Sequence, residues 1–144
     1  MFLLYNISLL FLRLGFRIAA LVHPKAKAFV GGRHNIIQRM QQSFRTHQGQ
    51  LAWFHCASLG EFEQGRPVIE AMKKEFPHLK ILLTFFSPSG FEVRKNYAQA
   101  DFVFYLPWDT ASNAKHVIAA ANPTVAIFVK YEFWHYFTQE LKDR

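Results

Sequence analysis

This 144-residue chain lacks a second cysteine, metal-ligand spacings, and the common nucleotide-binding and hydrolase motifs, and each absence argues against a class of protein. Cys56 is the one cysteine, so no intrachain disulfide can form and a reducing compartment is the natural interpretation. The seven histidines are dispersed, and no HExxH or paired Cys/His spacing predicts a metal site. No GxxxxGK(S/T), GxGxxG or GxSxG pattern occurs, so ATP hydrolysis, dinucleotide binding and Ser-His-Asp hydrolysis have no support.

Acidic residues are absent from the first third of the chain. Of the 17 Lys and Arg, seven lie in residues 1–50, where there is no Asp or Glu, while residues 51–144 carry equal numbers of both signs. The formal net charge of +7 therefore belongs to residues 1–50. A nucleic-acid-binding domain would more typically spread its charge over the fold, so no nucleic-acid partner is predicted. Basic residues just after an apolar segment favour the cytoplasmic side of a membrane and anionic headgroups or phosphates.

Residues 2–22 form one mostly apolar run that is long enough to span a bilayer, although Arg13 and Arg17 interrupt it. At about 100° per residue, Asn6 and the two arginines fall on one stripe of a helix. The run either lies in the membrane interface, which we prefer, or spans the bilayer with snorkelling arginines. A cleaved signal peptide is not predicted, because no charged segment precedes the run and no small-x-small site follows it.

The sequence predicts three regions with different composition. Residues 1–30 are interpreted as a membrane-associated helix, and residues 31–50 as a basic connecting segment with a short polar helix or linker. Residues 51–144 are interpreted as the globular part. We expect this part to be incomplete, because the pattern contains only four strands.

The globular part alternates between short apolar runs and helical patterns. The predicted strands are Leu51–Cys56, Lys80–Phe86, Phe102–Leu106 and Thr124–Lys130. Helices are predicted over residues 62–76, 90–98 and 110–121, and from about Tyr131 onward. Pro67 either starts or kinks the first of these helices. The third is predicted to have Asp109 as its N-cap and to end at Asn122-Pro123. This alternation predicts an α/β fold with a Rossmann-like parallel sheet and right-handed crossovers.

The loop after the first strand contains the strongest candidate for chemistry. Loops at the carboxyl ends of parallel strands meet at one edge of the sheet, where such folds bind ligands. Ser58 and Gly60 offer a hydroxyl and a close backbone approach, and Glu61 offers a carboxylate. Glu61 is interpreted as a general base, and the alternative is that it only caps the next helix.

Two further loops offer polar groups at the same edge. Ser87, Ser89 and Gly90 open a helix, so their backbone N–H groups and hydroxyls can cradle a phosphate or sugar hydroxyls, or simply form a capped turn. Glu132 is either a second carboxylate of the site or another helix cap.

Four segments, in this order along the chain, resemble motifs of the bacterial Kdo (3-deoxy-D-manno-octulosonic acid) transferases. Residues 55–61 (HCASLGE) resemble the family's HSVSVGE-type motif, and residues 84–92 (TFFSPSGFE) resemble TxTPTGxE. Residues 105–109 (YLPWD) are similar to YLPYD, and residues 132–134 (EFW) to the ELW of ETELWPN. Lys130 and His135 depart from the family, which often has Glu and Pro at those positions.

The resemblance implies the N-terminal, acceptor-binding half of a GT-B glycosyltransferase. Such enzymes transfer Kdo from CMP-Kdo to a lipid A precursor, with inversion, at the cytoplasmic face of the bacterial inner membrane, for lipopolysaccharide biosynthesis. The donor would be bound mainly by a C-terminal domain that this chain lacks, so the isolated chain is expected to be inactive, and no cofactor is implied.

The same resemblance assigns roles to single residues. Glu61 falls where the family has its catalytic base. The expected acceptor-binding residues are Ser58, Gly60, Ser87, Ser89, Gly90, Glu132 and Arg33, the last facing acceptor phosphates or anionic lipid. The alternatives are a non-catalytic membrane-surface binding module and another lipid-directed GT-B sugar transferase.

Overall fold

The computed structural model describes residues 2–130 and 132–144, in two compact units, Met1–His34 and Asn35–Arg144. The first unit contains α1 (Phe2–Ala19) and α2 (Pro24–Gly31). α1 is long and apolar enough to cross a membrane by length and composition, and Leu9 is its one buried residue. A signal sequence or a core helix passes the same test, so this is weak evidence for a membrane segment.

The second unit is built on a four-stranded parallel sheet, which confirms the predicted α/β class. The strands are β1 (Leu51–Cys56), β2 (Lys80–Phe85), β3 (Phe102–Tyr105) and β4 (Val125–Phe128), in the order β3-β2-β1-β4. β1 is central and buried at all six positions, as expected for an apolar strand covered on both faces. β4 is shorter than its apolar run predicts.

Five helices accompany the sheet within the described residues of the second unit. They are α3 (Ile36–Phe44), α4 (Leu59–Glu75), α5 (Pro88–Arg94), α6 (Ala111–Ala121) and α7 (His135–Lys142). α4 begins three residues before the predicted start, and Pro67 lies inside it rather than at its beginning. α6 ends at Asn122 in the left-handed conformation, as the Asn-Pro stop signal predicts.

Residues 36–44 belong to the core of the second unit, although the sequence pattern placed them in a connecting segment. Ile36, Met40 and Phe44 recur every four residues, so they share one face of α3 and are all buried. The positions between them are mostly polar, which explains why the composition indicated a short polar helix or a linker rather than a core element. The boundary between the two units consequently lies after His34 rather than near residue 50.

The core lies on both faces of the sheet. Alternate residues of β1 point to opposite faces, so Leu51 and Trp53 pack with α3, α6 and α7 while Ala52 and Phe54 pack with α4. The sheet is therefore covered on both sides, and its open parts are the loops at the strand ends.

Asp109 does not cap α6, and the prediction that it does is wrong. The N-cap of α6 is Thr110, whose hydroxyl accepts from the backbone N–H of Asn113 at 3.2 Å. Asp109 is fully buried and accepts from the backbone N–H groups of Tyr136 and Phe137, both at 3.1 Å. It therefore caps α7 from a distant part of the chain. That helix begins at His135; Tyr131, its predicted start, lies outside the described residues.

Candidate active site at the carboxyl edge of the sheet

The strand order creates a switch point beside β1. The chain passes from β1 through α4 to β2 on one side, and later returns through α6 to β4 on the other side of β1. In open parallel sheets the crevice at such a point, beyond the carboxyl ends of the strands, is the usual ligand site. Glu61 follows β1, and Lys130 and Glu132 follow β4, so all three residues border this point.

Glu61 and Ser58 form a capping box at the start of α4. The Ser58 hydroxyl and its backbone N–H both donate to Oε2 of Glu61, the latter at 3.1 Å. The N–H of Gly60 donates to the Ser58 hydroxyl at 3.3 Å. Glu61 therefore fulfils the capping alternative, and it does so with 20% of its side chain exposed at the edge of the sheet. Capping orients the carboxylate without removing it from solvent.

Lys130 places a positive charge close to the carboxylate of Glu61. Its Nζ lies 3.8 Å from Oε1 of Glu61, and its backbone has a φ of 68°, in the left-handed region that non-glycine residues seldom adopt. Lys130 is also one of the two positions named above at which this chain departs from the family.

The pKa of Glu61 is lowered from its ordinary value of 4.5. The hydrogen bond from the Ser58 side chain is the largest cause, partial burial opposes it, and the charge of Lys130 lowers the pKa further. Glu61 is therefore ionised throughout the neutral range, as a proton acceptor must be.

Replacement of Ser58 by alanine should raise the pKa of Glu61 and weaken the helix cap. The lowered native pKa stabilises the fold above pH 4.5, and this stabilisation is lost as the pH falls through the native pKa. We expect Ser58→Ala to lower the free energy of unfolding by about 1 kcal/mol at pH 7 and by less below pH 4. Urea unfolding across this pH range measures it. Ser43→Ala on the exposed side of α3 is the control, and an equal difference at every pH would contradict the prediction.

The loop after β2 forms an ordered turn. The Ser87 hydroxyl caps α5, accepting from the backbone N–H of Ser89 at 3.2 Å, and lies 3.0 Å from the Ser89 hydroxyl. Gly90 is buried, and a Cβ there would lie 2.3 Å from the Phe85 ring. Packing against Phe85 thus accounts for Gly90, while the two serine hydroxyls border the edge.

Glu132 lies among aromatic and buried polar groups. Trp134 Nε1 donates to its Oε2 at 2.8 Å, and His55 Nε2 lies 3.8 Å from the same oxygen. Burial raises the pKa of the Cys56 thiol to about 12, and the nearby charges of Glu61 and Glu132 act in the same direction. Both carboxylates are therefore within electrostatic reach of the end of β1.

Three half-buried rings lie at the ends of β2, β3 and β4. The ring centroids of Phe86 and Trp108 are 5.9 Å apart, and those of Phe86 and Trp134 are 4.8 Å apart. Next to them Phe133 is 84% exposed. The edge therefore presents apolar rings beside its charged groups.

Arg33 belongs to the first compact unit, whereas the other candidate residues belong to the second. Its guanidinium donates to the Phe29 carbonyl at 3.0 Å and lies 3.7 Å from the centroid of the Phe29 ring. Arg33 is thus buried in contacts within its own unit.

Among residues 2–130 and 132–144, no group of three or more His, Cys, Asp or Glu side chains is arranged to hold a metal ion. Sequence reasoning missed the buried side chain of His55, which reaches Glu132 from within β1. Its position inside a candidate motif was the available signal, but dispersed histidines gave no reason to select it.

Comparison with known proteins adds independent information. A family described as 3-deoxy-D-manno-octulosonic-acid transferase (kdotransferase) matches residues 34–144. The 3-deoxy-D-manno-octulosonic acid transferase of Aquifex aeolicus (strain VF5) is 35% identical over 95 residues, which are 65% of this chain and 26% of that protein. The protein of the same name from Chlamydia trachomatis serovar D is 30% identical over 105 residues, 72% of this chain and 24% of that protein.

The enzyme of that name from Haemophilus influenzae is 31% identical over 86 residues, 59% of this chain and 20% of that protein. The chain therefore spans about a quarter of the length of these curated relatives. The family match includes α3 and every strand of the sheet. On that match, the chain belongs to the 3-deoxy-D-manno-octulosonic acid (Kdo) transferase family.

Proposed function

We propose that this chain is the acceptor-binding half of a glycosyltransferase that transfers Kdo from CMP-Kdo to a lipid A precursor, with Glu61 as general base. The observation that carries the proposal is the Glu61 carboxylate, which is ionised, partly exposed and held by Ser58 beside the switch point of the sheet. A C-terminal domain of the same enzyme is proposed to bind the donor.

The proposed reaction is a single displacement with inversion. A hydroxyl oxygen of the acceptor forms a bond to the anomeric carbon of Kdo as the bond from that carbon to the CMP phosphate breaks. CMP leaves with the bonding electron pair, and the hydroxyl proton passes to Glu61. The transfer requires the acceptor hydroxyl to lie about 2.6–3.2 Å from the carboxylate, directly or through one water.

A low pKa is compatible with this role for Glu61. CMP is a good leaving group, so the acceptor hydroxyl loses its proton as the new bond forms and becomes acidic during the reaction. An ionised carboxylate that is a weak base in the ground state can then accept the proton. Lys130, at 3.8 Å, helps to keep Glu61 ionised when the donor brings further negative charge.

The acceptor is proposed to contact polar groups on both sides of Glu61. Ser87 and Ser89 provide hydroxyls after β2, and Glu132 provides a carboxylate after β4. Ser58 and Gly60 line the loop itself. Packing accounts for Gly90, so its proposed role is to let the turn approach β2 closely. Arg33 is proposed to face acceptor phosphates or anionic lipid, for which its guanidinium would have to give up its contacts with Phe29.

Donor trials test the function directly. The longer protein, containing this chain and a donor-binding domain, should transfer Kdo from CMP-Kdo to a lipid A precursor. Residues 1–144 alone should transfer none. Transfer only from a different nucleotide sugar would favour another lipid-directed transferase, while acceptor binding without any transfer would favour a non-catalytic membrane-surface module.

The proposed acceptor keeps its acyl chains in a bilayer, so we propose that α1 holds the enzyme at the cytoplasmic face of the inner membrane. α1 exposes large apolar side chains along its length, and Arg13 and Arg17 share one stripe. The apolar face would enter the bilayer boundary while the arginines face anionic headgroups.

Vesicle flotation tests this membrane contact. The full chain should float with phosphatidylcholine vesicles and bind more tightly when phosphatidylglycerol is added. Arg13→Gln and Arg17→Gln should each reduce the added affinity by about 1 kcal/mol. Lys115→Gln, on α6, is the control for total charge. Equal binding to neutral and anionic vesicles would contradict the electrostatic contribution.

A further inference from the structure

We propose that His55 is a positioning residue that orients Glu132 for acceptor binding, an inference that rests on the proposed function of this edge. His55 is fully buried in β1, so it has no access to substrate. Its ring nevertheless links the core to a carboxylate that is 21% exposed. No sequence motif or family match assigns it this role.

A chain of polar contacts begins in the core. Trp53 Nε1 donates to the Thr84 hydroxyl at 2.8 Å, and His55 Nδ1 lies 2.9 Å from the same oxygen. All three side chains are fully buried. Because buried polar groups are costly unless they are hydrogen-bonded, this arrangement constrains each ring to one orientation.

The direction of these hydrogen bonds determines the tautomer of His55. The Thr84 hydroxyl has one proton, and its oxygen already accepts from Trp53. That proton can go to His55 Nδ1 at 2.9 Å or to the Phe54 carbonyl at 3.4 Å, and the shorter contact is favoured. Nδ1 is then the acceptor, so the neutral ring carries its proton on Nε2.

The protonated Nε2 faces Glu132. It lies 3.8 Å from Oε2, which also accepts from Trp134 Nε1 at 2.8 Å. The distance from His55 is longer than a hydrogen bond, so this N–H acts on the carboxylate by electrostatic attraction at longer range. One N–H from the loop after β4 donates to this oxygen and a second from β1 faces it at longer range, and together they orient the carboxylate.

The ring environment supports an orienting role. His55 lies edge-on to Phe128, with centroids 5.7 Å apart, and to Trp134, with centroids 5.6 Å apart. These rings restrict the movement of the imidazole. A displaced Glu132 carboxylate would lose its alignment with an acceptor hydroxyl, and a misplacement of about 1 Å is enough to lower activity substantially.

Two substitutions of His55 distinguish the roles of its two ring nitrogens. The amide nitrogen of asparagine occupies the position of Nδ1, and that of glutamine the position of Nε2. In the longer protein, His55→Asn should lower kcat/KM for the acceptor about 10-fold, mainly through KM, while His55→Gln should restore most of it. The KM for CMP-Kdo should not change. Equal losses in both variants would overturn the proposal.

A double-mutant cycle tests whether His55 acts through Glu132. In a Glu132→Gln background, His55→Asn should lower kcat/KM less than twofold, because the oriented carboxylate is already gone. Losses that multiply would show that His55 acts independently of Glu132, and would overturn the proposal.

The tautomer provides a readout that does not require activity. A long-range ¹H–¹⁵N correlation spectrum of the full chain in detergent should show His55 protonated on Nε2. Thr84→Ser should preserve this tautomer and Thr84→Val should lose it. Protonation of Nδ1 in the unaltered chain would overturn the proposal even if the His55 variants do not fold. If the spectrum is as expected but the longer protein transfers no Kdo, the proposed function fails and the His55 contact does not.

Discussion

Replacement of Glu61 by glutamine should lower the turnover of Kdo transfer by about 10²–10⁴-fold in the longer protein. Glutamine cannot accept the acceptor proton, but its amide oxygen can still accept from the backbone N–H of Ser58, as Gln does in capping boxes. The fold should therefore be preserved. Steady-state turnover with CMP-Kdo and a lipid A precursor measures the loss of activity, and the thermal unfolding midpoint shows whether the fold is preserved.

A carboxylate on the same helix provides the control. Glu63 lies two residues further along α4 and forms ion pairs with Arg66 and Arg94 at the surface. Glu63→Gln should leave turnover within about twofold, since surface pairs of this kind contribute little. Near-normal turnover by Glu61→Gln would remove Glu61 from the mechanism. A large loss by both variants would indicate a general effect on α4.

Replacement of Asp109 by alanine should destabilise the second unit by about 2–3 kcal/mol. The fully buried carboxylate accepts from the N–H groups of Tyr136 and Phe137, so its removal leaves two donors of α7 without this acceptor. Asp109→Asn keeps one acceptor oxygen and should cost less. Urea unfolding followed by circular dichroism measures both changes.

The matched control lies at the opposite end of the same helix. Asp143 is exposed and accepts from the Gln139 side chain, so Asp143→Ala should change the free energy of unfolding by less than about 0.5 kcal/mol. If Asp109→Ala were as mild as Asp143→Ala, the long-range cap would contribute nothing to stability, and packing of Phe137, Tyr136 and Leu141 would hold α7 without it.

Local patterns in the sequence predicted the sheet well. β1 was predicted with its observed bounds because a strand buried on both faces is a continuous apolar run. The start of α4 was placed too late, although Ser58 and Glu61 form an S-x-x-E capping signature that marks the observed start. A short polar helix was one of the two alternatives for the segment that contains α3, but its burial in the core was not predicted, because its three buried residues are separated by mostly polar ones.

Local sequence patterns predicted only part of the candidate site. Glu61 could be predicted because its position depends on one strand and the loop that follows it. Asp109 and His55 could not, since the partners of Asp109 lie 27 and 28 residues away in sequence and those of His55 lie 29 and 77 residues away, on other elements. The periodicity of a sequence does not predict the order of the strands in a sheet, so contacts between strands can be assigned only from the folded structure.

The burial of α3 has a consequence for synthesis of the chain on the ribosome. Ile36, Met40 and Phe44 are translated before any strand, yet they share a core with Val117 and Ile118 of α6. At about 5–20 residues per second, that apolar face stays uncovered for several seconds while the intervening segment emerges. The core between α3 and α6 can therefore close only late in translation, after nearly the whole of the second unit has left the ribosome.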